Sequence, residues 1–370
     1  MEAAWLLRHP KSLSYPKCDN LITMATAPEI ASSAFNAIHA PRLIDSHGRQ
    51  ITDLRVSITD RCNYKCVYCR TGQSGAQYSE LSTADYLRLI RNFVALGIEK
   101  VRLTGGEPLL RRDLTEIVRE LAGWRTPSGQ PLDIAITSNG HLLESLAAPL
   151  KAAGLTRITV SMDAVEPAAF ERITRVPGSF QAVLRGIRAA QAAGFHPIKI
   201  NCVLLRGFND DQIEGFAHFA RQEDATVRFI EFMPLEEDRL WTPEIVVPLR
   251  EIVDRIHKIL PLHPLAPNTA SETARRYGFA DGRGEIGIIA PVTQAFCGAC
   301  SRIRLTSDGK IRTCLFSHTE HDLAGRMRKG ATDQDLIDYI LHTVETKEAR
   351  HHIGEPGFLK PSRSMVHIGG

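Results

Sequence analysis

The sequence predicts an α/β fold: an incomplete barrel of six strand–helix units, followed by a C-terminal region of a different kind. Between about residues 50 and 235, strand-like runs alternate with helix-like segments, which is typical of a parallel sheet. Beyond residue 236 this alternation stops, and a proline-rich and a glycine-rich stretch precede a second group of cysteines. We therefore divide the chain into residues 1–46, 47–235 and 236–370.

The strand–helix units can be followed in order along the chain. The six predicted strands read DLRVSIT, KVRLTGG, DIAITSN, RITVSMD, PIKINCV and VRFIEF. Between the first two strands, apolar residues are spaced to lie on one helix face, at Tyr86, Leu89, Ile90, Phe93 and Leu96. Ser82 and Asp85 stand at the spacing of a capping box at the start of this helix, and Gly97 follows its end.

Each predicted strand has one apolar and one polar face, because side chains alternate between the two sides of a strand. The polar faces carry five cations, namely Arg55, Lys100, Arg102, Lys199 and Arg228. Asp163 is the one obvious acid among them. If these faces line the barrel interior, the cations need an anionic partner, since unpaired buried charges are costly. A nucleoside triphosphate is the simplest such partner; the alternative is that the cations lie at strand ends in water.

Six of the eight cysteines fall into two close groups, which favours metal binding over disulfides. The first group has the spacing CxxxCxxC, at Cys62, Cys66 and Cys69. The second group is Cys297, Cys300 and Cys314. Three thiolates can hold three corners of a 4Fe–4S cluster and leave the fourth iron open. The alternative for each group is a partial zinc site. His351 and His352 are predicted to face solvent rather than to bind metal.

Two further motifs point to ligand binding. Arg302 and Arg304 lie two apart after the second cysteine pair, so on a strand they face the same way and suit a phosphate group. The segment LTGGEP follows the second strand, where glycines allow the backbone to approach a ligand closely. The alternative for this segment is an ordinary strand-to-helix turn.

Composition excludes several classes of protein. The chain is 43% hydrophobic and 24% charged, with a net charge of +3, so no nucleic-acid or membrane partner is indicated. No apolar run approaches the length of a membrane span. Residues 1–46 are interpreted as a mobile extension. We expect a cytoplasmic protein, or one of the mitochondrial matrix if this extension is a transit peptide.

These motifs resemble the radical S-adenosylmethionine superfamily and, within it, the GTP 3′,8-cyclase family of molybdenum cofactor biosynthesis. The resemblance is carried by LRVSITDRCNYKCVYC, VRLTGGEPLLRRDL, ITSNG, VSMDA, NDDQI, RFIEFMP, FCGACSRIRLTSDGK and the final Gly369-Gly370. It implies an incomplete triosephosphate-isomerase-type (β/α)6 barrel holding one 4Fe–4S cluster, and a second 4Fe–4S cluster in the C-terminal region. Arg70-Thr71, after the third cysteine, departs from the Met-Pro of many members and puts the local packing in doubt.

The resemblance also implies roles for individual residues. The cysteines of the first group hold the cluster that binds S-adenosylmethionine, and those of the second group hold the other cluster. The implied S-adenosylmethionine contacts are Tyr68, Gly106, Ser161 and Met233. The implied GTP contacts are Arg55, Arg102, Thr137, Lys199, Arg302, Ile303 and Arg304, with Lys100 and Arg228 as further phosphate contacts. Gly369 and Gly370 are implied to reach into the active site, near Arg228 or Arg304; the alternative is a frayed terminus.

The implied reaction is a radical cyclisation of GTP. A deoxyadenosyl radical takes a hydrogen atom from carbon 3′ of the ribose, which then bonds to carbon 8 of guanine. Implied partners are an electron donor and a cyclic pyranopterin monophosphate synthase that consumes the product, and the chain is expected to be a homodimer. Two other readings stay open: a peptide-modifying radical enzyme, and an electron-transfer protein with two clusters.

Overall fold

The alternating apolar and polar positions of the predicted strands form a parallel sheet in the structure, a computed structural model that describes residues 42–69, 76–237 and 240–369. The strands are β1 Asp53–Ser57, β2 Lys100–Thr104, β3 Asp133–Ser138, β4 Arg157–Ser161, β5 Ile198–Leu204, β6 Ala225–Glu231, β7 Leu262–Leu265, β8 Arg275–Phe279, β9 Glu285–Ile289, β10 Arg302–Leu305, β11 Lys310–Arg312 and β12 His321–Asp322. The helices are α1 Thr83–Ala95, α2 Leu114–Ala122, α3 Leu143–Ala152, α4 Pro167–Thr174, α5 Ser179–Ala192, α6 Ile213–Gln222, α7 Leu249–Ile259, α8 Leu323–Arg328, α9 Asp333–Glu345 and α10 Met365–Ile368. All six predicted strands and the predicted first helix are confirmed.

The first six strands lie side by side in chain order and all run parallel. The sheet of the described residues does not close on itself, as expected for an incomplete barrel. Strands from the C-terminal region extend it at both edges: β10 pairs with β1 and β9 pairs with β6, each in parallel. Antiparallel neighbours continue outward, β11 and β12 beyond β10, and β8 and β7 beyond β9. The regions before and after residue 236 thus contribute to one sheet.

The apolar strand faces pack against the helices in a common core. Helix α1 shows why the sequence folds this way: its predicted apolar residues are all buried, and the Ser82 side chain accepts a hydrogen bond from the Asp85 N–H at 3.1 Å. This cap supplies a partner for a helix-end donor that has none within the helix. The apolar faces therefore point outward to the helices, and the polar faces point to the interior.

The described end of the predicted N-terminal extension belongs to the folded unit. Leu43 and Asp45 are buried, and the backbone of Leu43 bonds to Leu96 and Ile51. The expectation of a mobile segment is therefore wrong for residues 42–46, while residues 1–41 lie outside the described residues. None of the helices among the described residues has the length and apolar character needed to cross a membrane.

Candidate functional site

A cavity of about 710 Å³ lies inside the partial barrel, and all six predicted cluster cysteines line it. The polar strand faces line the same cavity, so the predicted polar interior is confirmed. The other predicted site residues on its wall are Arg55, Tyr68, Lys100, Arg102, Gly106, Thr137, Ser161, Lys199, Arg228, Met233, Arg302 and Arg304. Residues chosen from separate motifs therefore meet at one place.

Three of these arginines occupy neighbouring positions on adjacent strands. In the register of the sheet, Arg55 of β1 stands beside Arg304 of β10 on one side and Arg102 of β2 on the other. Neighbouring strands are only about 4.8 Å apart, so three positive charges meet here. We call Arg304, Arg55 and Arg102 the arginine row.

Burial acts against the charges of the arginine row, and Arg55 repels both Arg102 and Arg304, although Asp53 attracts Arg55 and Arg102. Burial, followed by repulsion from Arg55, lowers the pKa of Arg102 to about 9. The same two causes bring the pKa of Arg304 well below its usual value. Among the described residues, the Nε of Arg55 has no hydrogen-bond partner. Because buried cations without a partner are costly, the row is suited to receive an anion.

The row two residues earlier along the strands is electrically balanced. Its side chains alternate in sign, in the order Arg302, Asp53, Lys100 and Asp133. Lys100 Nζ lies 2.8 Å from Asp53 Oδ2, and Arg157 forms an ion pair with Asp133. The interpretation of Asp163 as the one obvious acid was wrong, since Asp53 and Asp133 also line the cavity. Lys100 is thus partly neutralised before any ligand arrives.

Lys199 and Arg228 add two more cations to the cavity wall. Arg228 Nε donates to the neutral Asn201 Oδ1 at 3.0 Å, and burial lowers the pKa of Arg228 to about 10. Burial and the charge of Arg228 also lower the pKa of Lys199, which the carboxylate of Glu272 only partly offsets. These two residues therefore extend the excess of positive charge to the β5–β6 side of the cavity.

Asp163 is occupied by protein donors rather than by the cations. The Tyr68 hydroxyl donates to Oδ2 at 2.6 Å, and the Val203 N–H donates to Oδ1 at 2.8 Å. Burial raises the pKa of Asp163 to about 6. Because Tyr68 lies directly before Cys69, its bond to Asp163 holds the first cysteine loop against β4.

The glycines after β2 pack against the backbone of the first cysteine loop. Gly106 N donates to the Thr59 carbonyl at 2.9 Å, and Glu107 N donates to the Arg61 carbonyl at 2.7 Å. A Cβ on Gly106 would overlap the carbonyl oxygens of Asp60 and Arg61. Gly106 is therefore required by the close packing of this segment on the cysteine loop, and the predicted approach to a ligand stays a prediction.

Glu107 ties the same segment to the end of β3. Its carboxylate accepts hydrogen bonds from Leu109 N at 2.9 Å, Ser138 Oγ at 2.8 Å and Asn139 N at 2.6 Å. Burial raises the pKa of Glu107 to about 7 despite these donors. Glu107 was not predicted as a site residue, although its place beside the glycine pair could have indicated it.

Positive charge surrounds the second cysteine group. Burial raises the pKa of the Cys300 thiol, but the charges of Arg302 and Lys347 outweigh this and bring the pKa to about 7. Arg302 also stacks over the ring of Phe296, at 4.9 Å from its centre. Lys347 was missed because no local motif marks it; it follows α9 and reaches the cavity only through the fold.

His351 lines the cavity as well, so the expectation that it faces solvent was wrong. Its ring packs on Phe316 at 5.3 Å between centres, and burial lowers the pKa of His351. His352 is exposed, as predicted, and its Nδ1 lies 2.7 Å from Glu355.

The cysteines suit iron–sulfur clusters by their chemistry and surroundings. Both groups offer three thiols at the cavity wall. Within the described part of the chain, no three Cys, His, Asp or Glu side chains converge on one metal ion. A cluster does not need this, because each thiolate binds a different iron. Burial raises the pKa of Cys66 well above its usual value, and the charges of Asp163 and the other two cysteines of the group add to this. Bound irons would remove that penalty.

The C-terminal tail is docked rather than frayed. Residues 366–369 are buried, and the Gly369 carbonyl accepts a hydrogen bond from Arg304 Nη1. Gly369 has a φ of 78°, and a Cβ at this position would overlap Thr104 Oγ1. Arg304 is thus the arginine that the tail contacts, whereas Gly370 lies outside the described residues.

The Ile303 side chain lies apart from the cavity. It alternates with its arginine neighbours and is fully buried in the apolar core, and a substrate contact of Ile303 remains a prediction. Arg70-Thr71, which departs from the family pattern, lies outside the described residues.

Comparison with protein families matches both halves of the chain. Residues 56–220 match the radical SAM superfamily, and residues 225–353 match the family described as Molybdenum Cofactor Synthesis C. Among solved structures, the fold is similar to Streptococcus suis SuiB bound to S-adenosylmethionine, with a TM-score of 0.56 and 13% identity over 81% of this chain and 69% of that chain.

Curated relatives align with most of this chain and over most of their own length. The GTP 3′,8-cyclase of Acidothermus cellulolyticus is 44% identical over 310 residues, covering 82% of this chain and 84% of the relative. The GTP 3′,8-cyclase of Syntrophomonas wolfei is 40% identical over 331 residues, covering 89% of this chain and all of the relative. At this identity and coverage, the chain belongs to the GTP 3′,8-cyclase family of the radical SAM superfamily.

Proposed function

We propose that this chain converts GTP to (8S)-3′,8-cyclo-7,8-dihydroguanosine 5′-triphosphate, the first step of molybdenum cofactor biosynthesis, using S-adenosylmethionine and two 4Fe–4S clusters. One observation carries the proposal: two cysteine triplets and an unbalanced row of three arginines line the same cavity. A nucleoside triphosphate offers a polyanion for the arginines and a purine base for the second cysteine group. Family membership supports the same substrate.

The first cysteine group would hold the cluster that binds S-adenosylmethionine, together with the cavity-lining residues Tyr68, Gly106, Ser161 and Met233. When bound, this pair of cofactors supplies a 5′-deoxyadenosyl radical. The protein's part is to hold the loop rigid, through the Tyr68–Asp163 bond and the Gly106 packing, and to keep the ribose in reach.

The cations would hold the triphosphate and orient the nucleotide. Guanidinium groups can bind phosphate oxygens in pairs, which fixes geometry as well as charge. Arg55, Arg102 and Lys199 form no ion pair among the described residues and would make the main contacts, while Lys100 is paired with Asp53. Thr137 already accepts a hydrogen bond from Arg102 at 3.1 Å and would hold that side chain in place. Arg302, beside Cys300, would place the guanine at the second cluster.

The finer parts of the proposal concern partners. The product would pass to a cyclic pyranopterin monophosphate synthase, an electron donor would reduce the clusters, and the chain would act as a homodimer. A peptide-modifying radical enzyme would not need the arginine row. An electron-transfer protein would favour four cysteines for each cluster, whereas three are grouped at each site.

Cysteine variants and S-adenosylmethionine cleavage test the proposal. Anaerobically reconstituted protein should hold about eight irons, since each 4Fe–4S cluster brings four. Alanine at Cys62, Cys66 or Cys69 should abolish cleavage of S-adenosylmethionine. Alanine at Cys297, Cys300 or Cys314 should spare that cleavage and stop GTP cyclisation. Zinc at the C-terminal group would overturn the assignment. Cleavage of S-adenosylmethionine that yields no cyclised product in the presence of GTP would overturn it as well.

A further inference from the structure

Lys347 is a buried cation beside the second cysteine group. Only 3% of its surface is exposed, and it lines the same cavity as Cys297, Cys300 and Cys314. Its Nζ donates a hydrogen bond to the carbonyl of Thr313, the residue directly before Cys314. The ammonium group is therefore held at the backbone that carries one of the predicted cluster ligands.

In the described parts of the chain, the charge of Lys347 has no carboxylate partner. Among the described residues, no Asp or Glu oxygen lies within 4.0 Å of its Nζ. The adjacent Glu348 instead accepts a hydrogen bond from Thr313 Oγ1 at 2.8 Å. Removing an ion from water costs several kcal/mol unless an opposite charge compensates, so the position of Lys347 suits a neighbouring anionic group.

Arg49 fixes the distance between Lys347 and the cysteines. Its guanidinium donates to the carbonyls of Cys297 at 2.9 Å, Ala349 at 2.8 Å and Glu348 at 2.6 Å. Its Nε is paired with the buried Asp45 at 2.7 Å. The segment that carries Lys347 is thus tied to the cysteine loop at two points, at Cys297 through Arg49 and before Cys314 through Lys347 itself.

We infer that Lys347 is the charge-compensating residue of the second cluster, and that it favours the reduced form of that cluster. This inference rests on the second cluster of the proposed function. Three thiolates give the site negative charge, and reduction adds one more electron. A fixed cation nearby stabilises the added charge, and net charge is one of the properties that set cluster potentials.

Redox titration of the complete, reconstituted chain tests this inference. The variants are Lys347→Met, which removes the charge, and Lys347→Arg, which keeps it; Lys258→Met removes an exposed lysine of α7 as a control. Electron paramagnetic resonance follows each cluster, with the first identified by its response to S-adenosylmethionine and the second by its response to GTP.

Lys347→Met should lower the reduced-to-oxidised ratio of the second cluster at least about tenfold at a fixed potential, which is about 59 mV for one electron. The reduced-to-oxidised ratio of the first cluster in Lys347→Met should change by less than about threefold. The same limit applies to the ratio of the second cluster in Lys347→Arg and in Lys258→Met.

Other outcomes are equally informative. Loss of the second cluster in Lys347→Met but not in Lys347→Arg would also support a role for the charge. Equal shifts of both clusters, no shift, or cluster loss in both variants would overturn the inference and leave Lys347 as a structural partner of Thr313. About four irons in the unsubstituted chain would refute the second cluster itself, and this inference with it.

Discussion

At the scale of single residues, Asp53 and Arg55 give two neighbouring rows of the cavity wall a different net charge. Asp53 balances Lys100, whereas Arg55 stands between two further arginines. Repulsion within the arginine row is unfavourable in the ligand-free protein, and a bound triphosphate would relieve it. The same charges therefore reduce stability and create affinity for an anion.

Replacing Arg55 should separate these two effects. Arg55→Met should weaken GTP binding at least about tenfold, because a hydrogen bond to a charged group is worth roughly 1.5–3 kcal/mol. The thermal midpoint of the GTP-free protein should change little, because the loss of attraction to Asp53 offsets the repulsion that is removed. Binding of S-adenosylmethionine should be unaffected, since this ligand carries no phosphate. Calorimetric titration and thermal unfolding measure these quantities.

Lys100→Met is the matched control for that experiment. It leaves the buried carboxylate of Asp53 without its cation, so the free energy of unfolding should fall by about 1–3 kcal/mol. A loss of stability in Arg55→Met as large as in Lys100→Met would show that the arginine row is not under repulsion.

At the scale of elements, local patterns allowed much of the barrel to be predicted. Alternation with period two indicated which strand residues face the interior, and helical spacing indicated the buried face of α1, because both signals lie within a few consecutive residues. The pairing of β10 with β1 could not be predicted, since the two strands are far apart in the chain and no local pattern encodes their register. For the same reason the Asp53–Lys100 pair and the contribution of Lys347 were missed.

The C-terminal tail shows how a short element depends on its neighbours. Gly369 lies where β1, β2 and β10 meet: a Cβ on it would meet Ser57 and Thr104, and its carbonyl accepts a hydrogen bond from Arg304. Both its positive φ and the lack of space exclude a side chain. The tail can therefore reach this position only with glycine.

Gly369→Ala should displace the tail and reduce GTP cyclisation about a hundredfold, because a shift of about 1 Å near reacting groups can cost that much. Iron content, cleavage of S-adenosylmethionine and GTP affinity should remain close to those of the unsubstituted chain. Gly330→Ala is the matched control: its φ is +89°, but a Cβ there meets no atom within 4 Å. Full cyclisation by Gly369→Ala would mean that the docked tail plays no part in the reaction.

At the scale of the whole molecule, the second cysteine group is held by residues from distant parts of the chain. Arg49, near the first described residues, binds Cys297 and the segment after α9 at once. Its buried ion pair with Asp45 fixes the guanidinium for this purpose. Residues 42–46, predicted to be mobile, therefore contribute to the site that the last third of the chain forms.

Arg49→Lys should release the second cluster while leaving the first in place. A lysine ammonium cannot reproduce the planar fork that reaches three carbonyls and a carboxylate together, so the Cys297 loop and the segment after α9 would separate. Iron should fall from about eight to about four per chain, and GTP cyclisation should be lost. Cleavage of S-adenosylmethionine should continue, because the first cysteine loop is held by Tyr68 and the glycine segment instead.

The control is Arg42→Lys, at an exposed position of the segment that carries Arg49, which should change neither the iron content nor GTP cyclisation. Retention of all the iron in Arg49→Lys would show that contacts other than this guanidinium hold the second cysteine group. Loss of both clusters would show that Arg49 supports the fold as a whole.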